Sequence, residues 1–225
     1  MTNVILFIVA HPDDEAIGMG GCLSLHSERK DKVFGISMTD GISSREGNIS
    51  EEASERNFMA TNSSKVLGFT WLDNKKFPDN QMDTIPMLEV IKSIELVKQK
   101  IKPNIIYTHS PSDLNVDHKI VFQSTLTAFR PQNNEIWEEI RTFEVPSATD
   151  YGHRSISEVF QPNLYINVES VFNKKIEALK CYKDEIRPYP HSRSLEGIKN
   201  LAQLRGNQVG LSYAEAFEII RKIER

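Results

Sequence analysis

The chain has 225 residues, 39% of them hydrophobic and 26% charged, an ordinary composition for a soluble globular protein and enough length to bury a substantial core. A formal net charge of -4 and a pI near 5.9 argue against nucleic acid or an anionic membrane surface as the main partner, because both reward clustered Lys and Arg. No basic run overturns this. Val4 to Ala10 is too short to span a bilayer and lacks the basic leader and cleavage site of a signal peptide, so a cytoplasmic protein without membrane insertion is expected. The two cysteines, Cys22 and Cys181, form no CxxC pair and are read as packing residues.

The opening "NVILFIVA" is apolar and β-branched, as in a strand buried on both faces of a parallel sheet. From Ala16 to about Arg29 the pattern is helical, and "KVFGISMTDG" then reads as a second strand and turn. "EEASERNFMATNSSKVLG" is a helix closed by Gly68, a residue suited to a left-handed cap. A short strand at "FTWL" leads into a loop rich in Asn, Asp, Lys and Pro. "TIPMLEVIKSIELVKQKIKP" is a long amphipathic helix whose expected apolar face includes Leu88, Ile91 and Ile94. "NIIYTHS" is another buried strand, and "HKIVFQSTLTAF" a helix with Val121, Phe122, Thr125, Leu126 and Phe129 on one side. Further on, "NLYINV" reads as a strand, and "SVFNKKIEALKCYKDE", "RSLEGIKNLAQLRGNQ" and "SYAEAFEIIRKIE" as helices. Between them, "IRPYPHSRS" is a loop that gathers aromatic, histidine and arginine side chains around two prolines. Strands alternating with helices predict one α/β, Rossmann-like, three-layer domain over residues 1 to 225 with a mostly parallel sheet.

In such sheets ligands bind beyond the carboxyl ends of the strands. Two predicted strands end in titratable residues: the first in "AHPDDE", the other in "THSPSDLNVDH". Together they offer His11, Asp13, Asp14, Asp117 and His118, with His109 and Asp113 nearby. Two histidines and a carboxylate, with a fourth position left to water, form the ligand set of a catalytic zinc site. An adjacent carboxylate that does not ligate can take a proton from the activated water. Spacing alone leaves open which aspartate does which. The "GMGG" at 18 to 21 lies inside the first helix, not at a strand-to-helix turn, and is read as close helix-to-sheet packing rather than a dinucleotide fingerprint. His26 and His153 carry no motif and are expected at the surface, while His109 is read either as a support for the site or as a packing residue.

With "AHPDDE" and "DLNVDH" in these places, the sequence resembles the N-acetylglucosaminyl-phosphatidylinositol de-N-acetylase (PIG-L, or LmbE-like) family of zinc-dependent amide hydrolases. The likeness extends more weakly through "TDG" at 39 to 41 and Arg56, covering residues 1 to about 130, with a looser match at "YPHSRS" and "AEAF". It implies that His11, Asp14 and His118 bind zinc, with Fe2+ or Co2+ as alternatives, and that Asp13 is the general base. Asp117 would orient a neighbouring group. Many members have a histidine where this chain has Asn115, and a glutamate where it has Met59. An amide cannot carry a positive charge, so the acid or electrophile falls to His191, placed to swing over the metal, or to Arg56.

The expected function is a zinc-dependent N-deacetylase acting on a small N-acetylated amino sugar or its conjugate, with the chain beyond about residue 130 shaping the pocket. Asp40, Asn115, Arg187, Tyr189 and Arg193 are the candidate substrate contacts. The arginines and aromatics of "RPYPHSRS" suit a phosphate-bearing sugar, such as a nucleotide- or lipid-linked glycan precursor. Two alternatives stand beside this reading: an amidase on another amide such as a thiol conjugate, and a non-catalytic sugar-binding module. An oligomer is compatible with the sequence.

Overall fold

The computed structural model describes residues 2–44, 49–72, 77–153, 155 and 158–224. Its elements run β1 (Val4–Val9), α1 (Asp14–Glu28), β2 (Lys32–Ser37), α2 (Ile49–Leu67), β3 (Thr70–Trp71), α3 (Met87–Ile101), β4 (Ile105–His109), α4 (Val116–Ala128), β5 (Glu139–Phe143), β6 (Leu164–Asn167), α5 (Phe172–Cys181), α6 (Leu195–Asn207) and β7 (Ala214–Lys222). Residues 73 to 76 of the polar loop expected after β3 lie outside the described set. The seven strands make one sheet in the order β3-β2-β1-β4-β5-β7-β6. β1 pairs in parallel with both β2 and β4, and β5 continues in parallel beside β4, whereas β7 runs antiparallel to β5 and β6.

Because side chains alternate along a strand, β1 feeds two cores. Ile5, Phe7 and Val9 enter one with Ala16, Leu23, Met59, Leu67 and Leu179 from α1, α2 and α5. Leu6, Ile8 and Ala10 enter the other with Val90, Ile94 and Val121 from α3 and α4. The result is the expected three-layer α/β domain. Since β2 leaves β1 on one side and β4 lies on the other, the gap between the carboxyl ends of β1 and β4 is the topological switch point.

Four expectations need correction. "SYAEAFEIIRKIE" is the strand β7, not a helix. Ala and Glu favour helix, but Ala214, Ala216 and Phe217 are buried between β5 and β6, and pairing on both edges outweighs local propensity. β5 was not anticipated from "EIRTF", a stretch whose two charged residues pair with each other through Arg141 Nε and Glu139 Oε1 at 2.6 Å. On α3 the buried stripe runs through Val90 and Ile94 with Ile91 and Val97 beside it, and Leu88 is 58% exposed. His26 is buried, its Nε2 2.9 Å from the Tyr107 hydroxyl and its Nδ1 2.7 Å from Asp31.

Close helix-to-sheet packing is met at Gly18, while Gly20 faces the α2 and α5 side chains of Leu67 and Lys175. A Cβ built on Gly18 would lie 2.3 Å from Cδ2 of Phe143 and 2.9 Å from the Glu144 carbonyl oxygen, so α1 approaches β5 closely only because that atom is missing. Gly68, at φ +78°, ends α2 as expected. Gly18→Ala should therefore lower stability by about 2–3 kcal/mol, a fall in Tm of roughly 4–12 °C. Gly20→Ala, whose Cβ would meet Lys175 Cγ at 3.2 Å and the Leu67 methyls at an ordinary 3.7 Å, should cost little. Thermal unfolding of the two variants side by side checks the contrast.

Candidate metal centre

β1 ends at Val9, and the chain turns through His11, Pro12 and Asp13 into α1. Across the switch point, β4 ends at His109 and a short loop leads to Asn115, whose Oδ1 accepts hydrogen bonds from the backbone N–H of Asp117 at 2.8 Å and His118 at 3.4 Å. That cap starts α4 and sets Asp117 and His118 in its first turn, facing the end of β1. Asn115 is thus the N-cap of α4, and its amide nitrogen donates to Asn80 Oδ1 at 3.2 Å.

The two loops bring three donor atoms together. His11 Nδ1 lies 3.3 Å from Asp14 Oδ2 and 3.3 Å from His118 Nε2, and His118 Nε2 lies 3.5 Å from Asp14 Oδ1. A tetrahedral cation with ligand distances of about 2.1 Å separates its donors by roughly 3.4 Å, so these spacings fit. The far nitrogens say the same. His118 Nδ1 is 2.7 Å from Asp113 Oδ2, and His11 Nε2 is 3.1 Å from Asp79 Oδ1 and 3.3 Å from Asp117 Oδ2. When each imidazole donates the N–H on its far nitrogen to those carboxylates, two lone pairs and a carboxylate converge on one point. Asp14 Oδ1 is buried there without a hydrogen-bond partner. Only a proton or a cation makes that arrangement favourable, and the residues present fit a divalent metal ion.

The surroundings tune the donors. Burial opposes the charge on Asp14, but the imidazoles of His118, His109 and His11 outweigh it and hold the carboxyl well below the usual range. Burial and the neighbouring His109 lower the pKa of His118, favouring the neutral form that ligates. Asp117 is itself gripped by the backbone N–H of Asn80 at 2.7 Å and Met82 at 3.1 Å. His109 is a packing support: its Nε2 accepts the Ala10 N–H at 2.8 Å, and its ring stacks on His118 with centroids 3.8 Å apart.

Asp13 stands beside this set, 2% exposed. Burial raises its pKa to about 6, with the Asp14 charge adding to the rise and the Arg56 and Arg193 charges opposing it. The guanidinium nitrogens of Arg56 and Arg193 lie 3.8 and 3.6 Å from its Oδ2. Arg56 is fixed further by Glu185 at 2.9 Å, and Arg193 by its Nε bond to the Pro146 carbonyl at 3.1 Å. A cleft of about 120 Å³ opens onto the group, lined by His11, Asp13, Asp79, Asn80, Asn115 and Arg193 among others. The remaining sequence candidates stand apart from it. Asp40 turns inward on its own loop, accepting the N–H of Ile42 and Ser43 at 3.0 Å each. His191 Nδ1 accepts the Arg193 N–H at 3.0 Å and its ring faces Tyr151. Arg187 is exposed, and Tyr189 is 66% exposed. A larger hollow of about 480 Å³ lies near the start of β4, between Lys98, Lys102, Arg130 and Glu135, without such a donor set.

Residues 6–129 match the PIG-L family, GlcNAc-PI de-N-acetylase. The chain belongs to this family. Among relatives of the PIG-L chain, it is 27% identical over 185 residues to the uncharacterized deacetylase YaiS of Escherichia coli (strain K12), covering 80% of this chain and 90% of that protein. Its fold matches the N,N'-diacetylchitobiose deacetylase of Pyrococcus horikoshii with a TM-score of 0.77 at 21% identity, over 96% of this chain and 83% of that one. It also matches GalB, the 4-carboxy-2-hydroxymuconate hydratase of Pseudomonas putida KT2440, with a TM-score of 0.76 at 19% identity, over 100% and 99%. The fold therefore serves more than one reaction, and function must be argued from the site.

Asp79 and Glu185 escaped the sequence reading. Asp79 lies in the "FPDN" turn, and Glu185 ends the "SVFNKKIEALKCYKDE" read as a helix but follows the end of α5 at Cys181, outside the matched region; neither belongs to a motif. The Pro-Asp-Asn turn was the only signal. The carboxylates behind the histidines set ligand orientation, so Asp113→Asn should weaken metal binding about 10–100-fold while leaving the fold intact. Competition with a chromophoric chelator, alongside a thermal unfolding curve, measures both.

Proposed function

We propose that this PIG-L family protein is a zinc-dependent hydrolase that removes the acetyl group from an N-acetylated amino sugar or its conjugate. The observation that carries this reading is the convergence of His11 Nδ1, Asp14 and His118 Nε2 within 3.5 Å of one another, with a buried carboxylate, Asp13, beside them. Family membership and the likeness to a diacetylchitobiose deacetylase support the reaction and the substrate class. His11, Asp14 and His118 would hold a divalent zinc ion, and the ion would supply Lewis acidity to the acetamide carbonyl and to the attacking water.

Asp13 accepts the proton of that water and returns it to the departing amine, a transfer suited to a carboxyl raised toward neutrality. Arg56 and Arg193 supply the positive charge that Asn115 lacks, flanking the base where negative charge develops on the substrate. This assigns the electrophile's role to the two arginines. His191 is left at the rim, with Arg187 and Tyr189 as contacts for the part of the substrate that does not react. The residues after about 130 complete the site through Glu185 and Arg193, consistent with one functional domain over the whole chain. Among the described residues no helix is long and apolar enough to cross a membrane.

Two measurements test this. Asp13→Asn should retain its metal and lose acetate release about 100-fold or more; an unchanged rate overturns the assignment of the base. Acetate release should also be followed across free, thiol-linked and phosphate-linked N-acetyl sugars, together with analogues carrying longer acyl groups. Turnover of acetyl but not longer acyl sugars is expected, because the cleft is small and polar; hydrolysis confined to other amides would replace the reading with a general amidase.

A further inference from the structure

Glu15 is wholly buried, yet it takes no part in the donor set or the proposed proton transfers. It is the last residue of the "HPDDE" run and lies in the first turn of α1. An acidic residue there ordinarily faces solvent and favours the helix N-terminus. Here the side chain turns back: Oε2 accepts the backbone N–H of Asp13 at 3.0 Å, while Oε1 accepts the Tyr182 hydroxyl at 2.7 Å and the Ser63 hydroxyl at 3.3 Å. Tyr182 caps the end of α5, and Ser63 belongs to α2.

The residue so held is unusual. Asp13 has φ 139° and ψ -29°, a conformation that residues with a Cβ rarely adopt, and one that persists only when its surroundings over-determine it. Its carbonyl oxygen starts α1 by accepting from Ala16 and Ile17, both at 3.0 Å, so both sides of the peptide geometry are committed. A relaxed φ would rotate the carboxylate away from the donor set.

We propose that Glu15 is a positioning residue whose carboxylate clamps the strained backbone of Asp13, and that Tyr182 tightens this clamp and so ties the last third of the chain to the base. The catalytic consequence rests on the deacetylase reading; the clamp itself does not. Tyr182 lies beyond the residues matched by the family, so this tie is a property of the whole chain.

The test uses the full-length, metal-loaded protein and three variants. Glu15→Ala should keep its metal content and overall fold, let the Asp13 amide exchange with deuterium on the order of 10-fold faster by NMR, and lower kcat about 100-fold with little change in KM. Glu15→Gln keeps a carbonyl oxygen for the Asp13 N–H and should restore both the protection and most of kcat. Tyr182→Phe should fall between wild type and Glu15→Ala in both measurements, and it decides the matter should Glu15→Ala not fold. Wild-type exchange at Asp13 and wild-type kcat in Tyr182→Phe or in folded Glu15→Ala overturn the proposal. Loss of metal in step with activity also overturns it, since Glu15 would then serve only the ligand loop. Should the wild-type protein release acetate from no N-acetyl sugar, the deacetylase reading fails while amide exchange still decides the clamp.

Discussion

Two imidazole lone pairs and a carboxylate aimed at one buried point are the constraint on which the rest of this structure depends. Left alone, the arrangement is unfavourable: Asp13, Asp14, Asp79, Asp113 and Asp117 are all at most 2% exposed, and burying uncompensated charge costs several kcal/mol per ion. Protons on the histidines offset part of this, and burial notwithstanding, bonds to Asp117, Asp14 and Asp79 hold the His11 pKa well above its usual value. A divalent cation offsets it more fully. Proton and cation would therefore compete for the same lone pair, and the carboxylates behind the histidines fit a cation as well as the donors in front of it do.

The division of labour along the chain follows from this. The first part supplies the donor set, Asp13 and the supports behind them. The last third supplies Glu185 against Arg56, Arg193 against Asp13, and Tyr182 against Glu15. In the proposed reaction the positive charge missing at Asn115 comes from guanidinium groups carried by α2 and by the proline-bounded loop. Asn115 itself is occupied in starting α4, and that capping bond is what turns His118 toward His11 and Asp14.

Much of this was legible without coordinates. Apolar runs of six residues before "AHPDDE" and three before "THS" marked β1 and β4, because a parallel strand buried on both faces is apolar along most of its length and turns polar near its carboxyl end. The helices α1 to α6 were readable from periodicity and from stop signals such as Gly68. β7 was not, since Ala, Glu, Ile and Lys fit a helix until a strand on either side offers pairing. His26 was misplaced for a similar reason: its partners Tyr107 and Asp31 lie 81 and 5 residues away and share no motif with it. Met59, standing where many relatives have a glutamate, made Arg56 look unsupported, and Glu185 supplies its carboxylate from 129 positions along the chain.

By itself the sequence determined which side chains could make a metal site and which strands would carry them to one end of an α/β sheet, because motif chemistry and strand burial are local properties. Only the tertiary structure decided which carboxylate backs which histidine, that the arginines and not His191 stand beside Asp13, and that Glu15 turns back on Asp13. Apart from the local pairs Asp113–His118 and Asp13–Glu15, those choices rest on contacts between residues 43 to 180 positions apart, and in a single sequence no spacing rule reaches across such a distance.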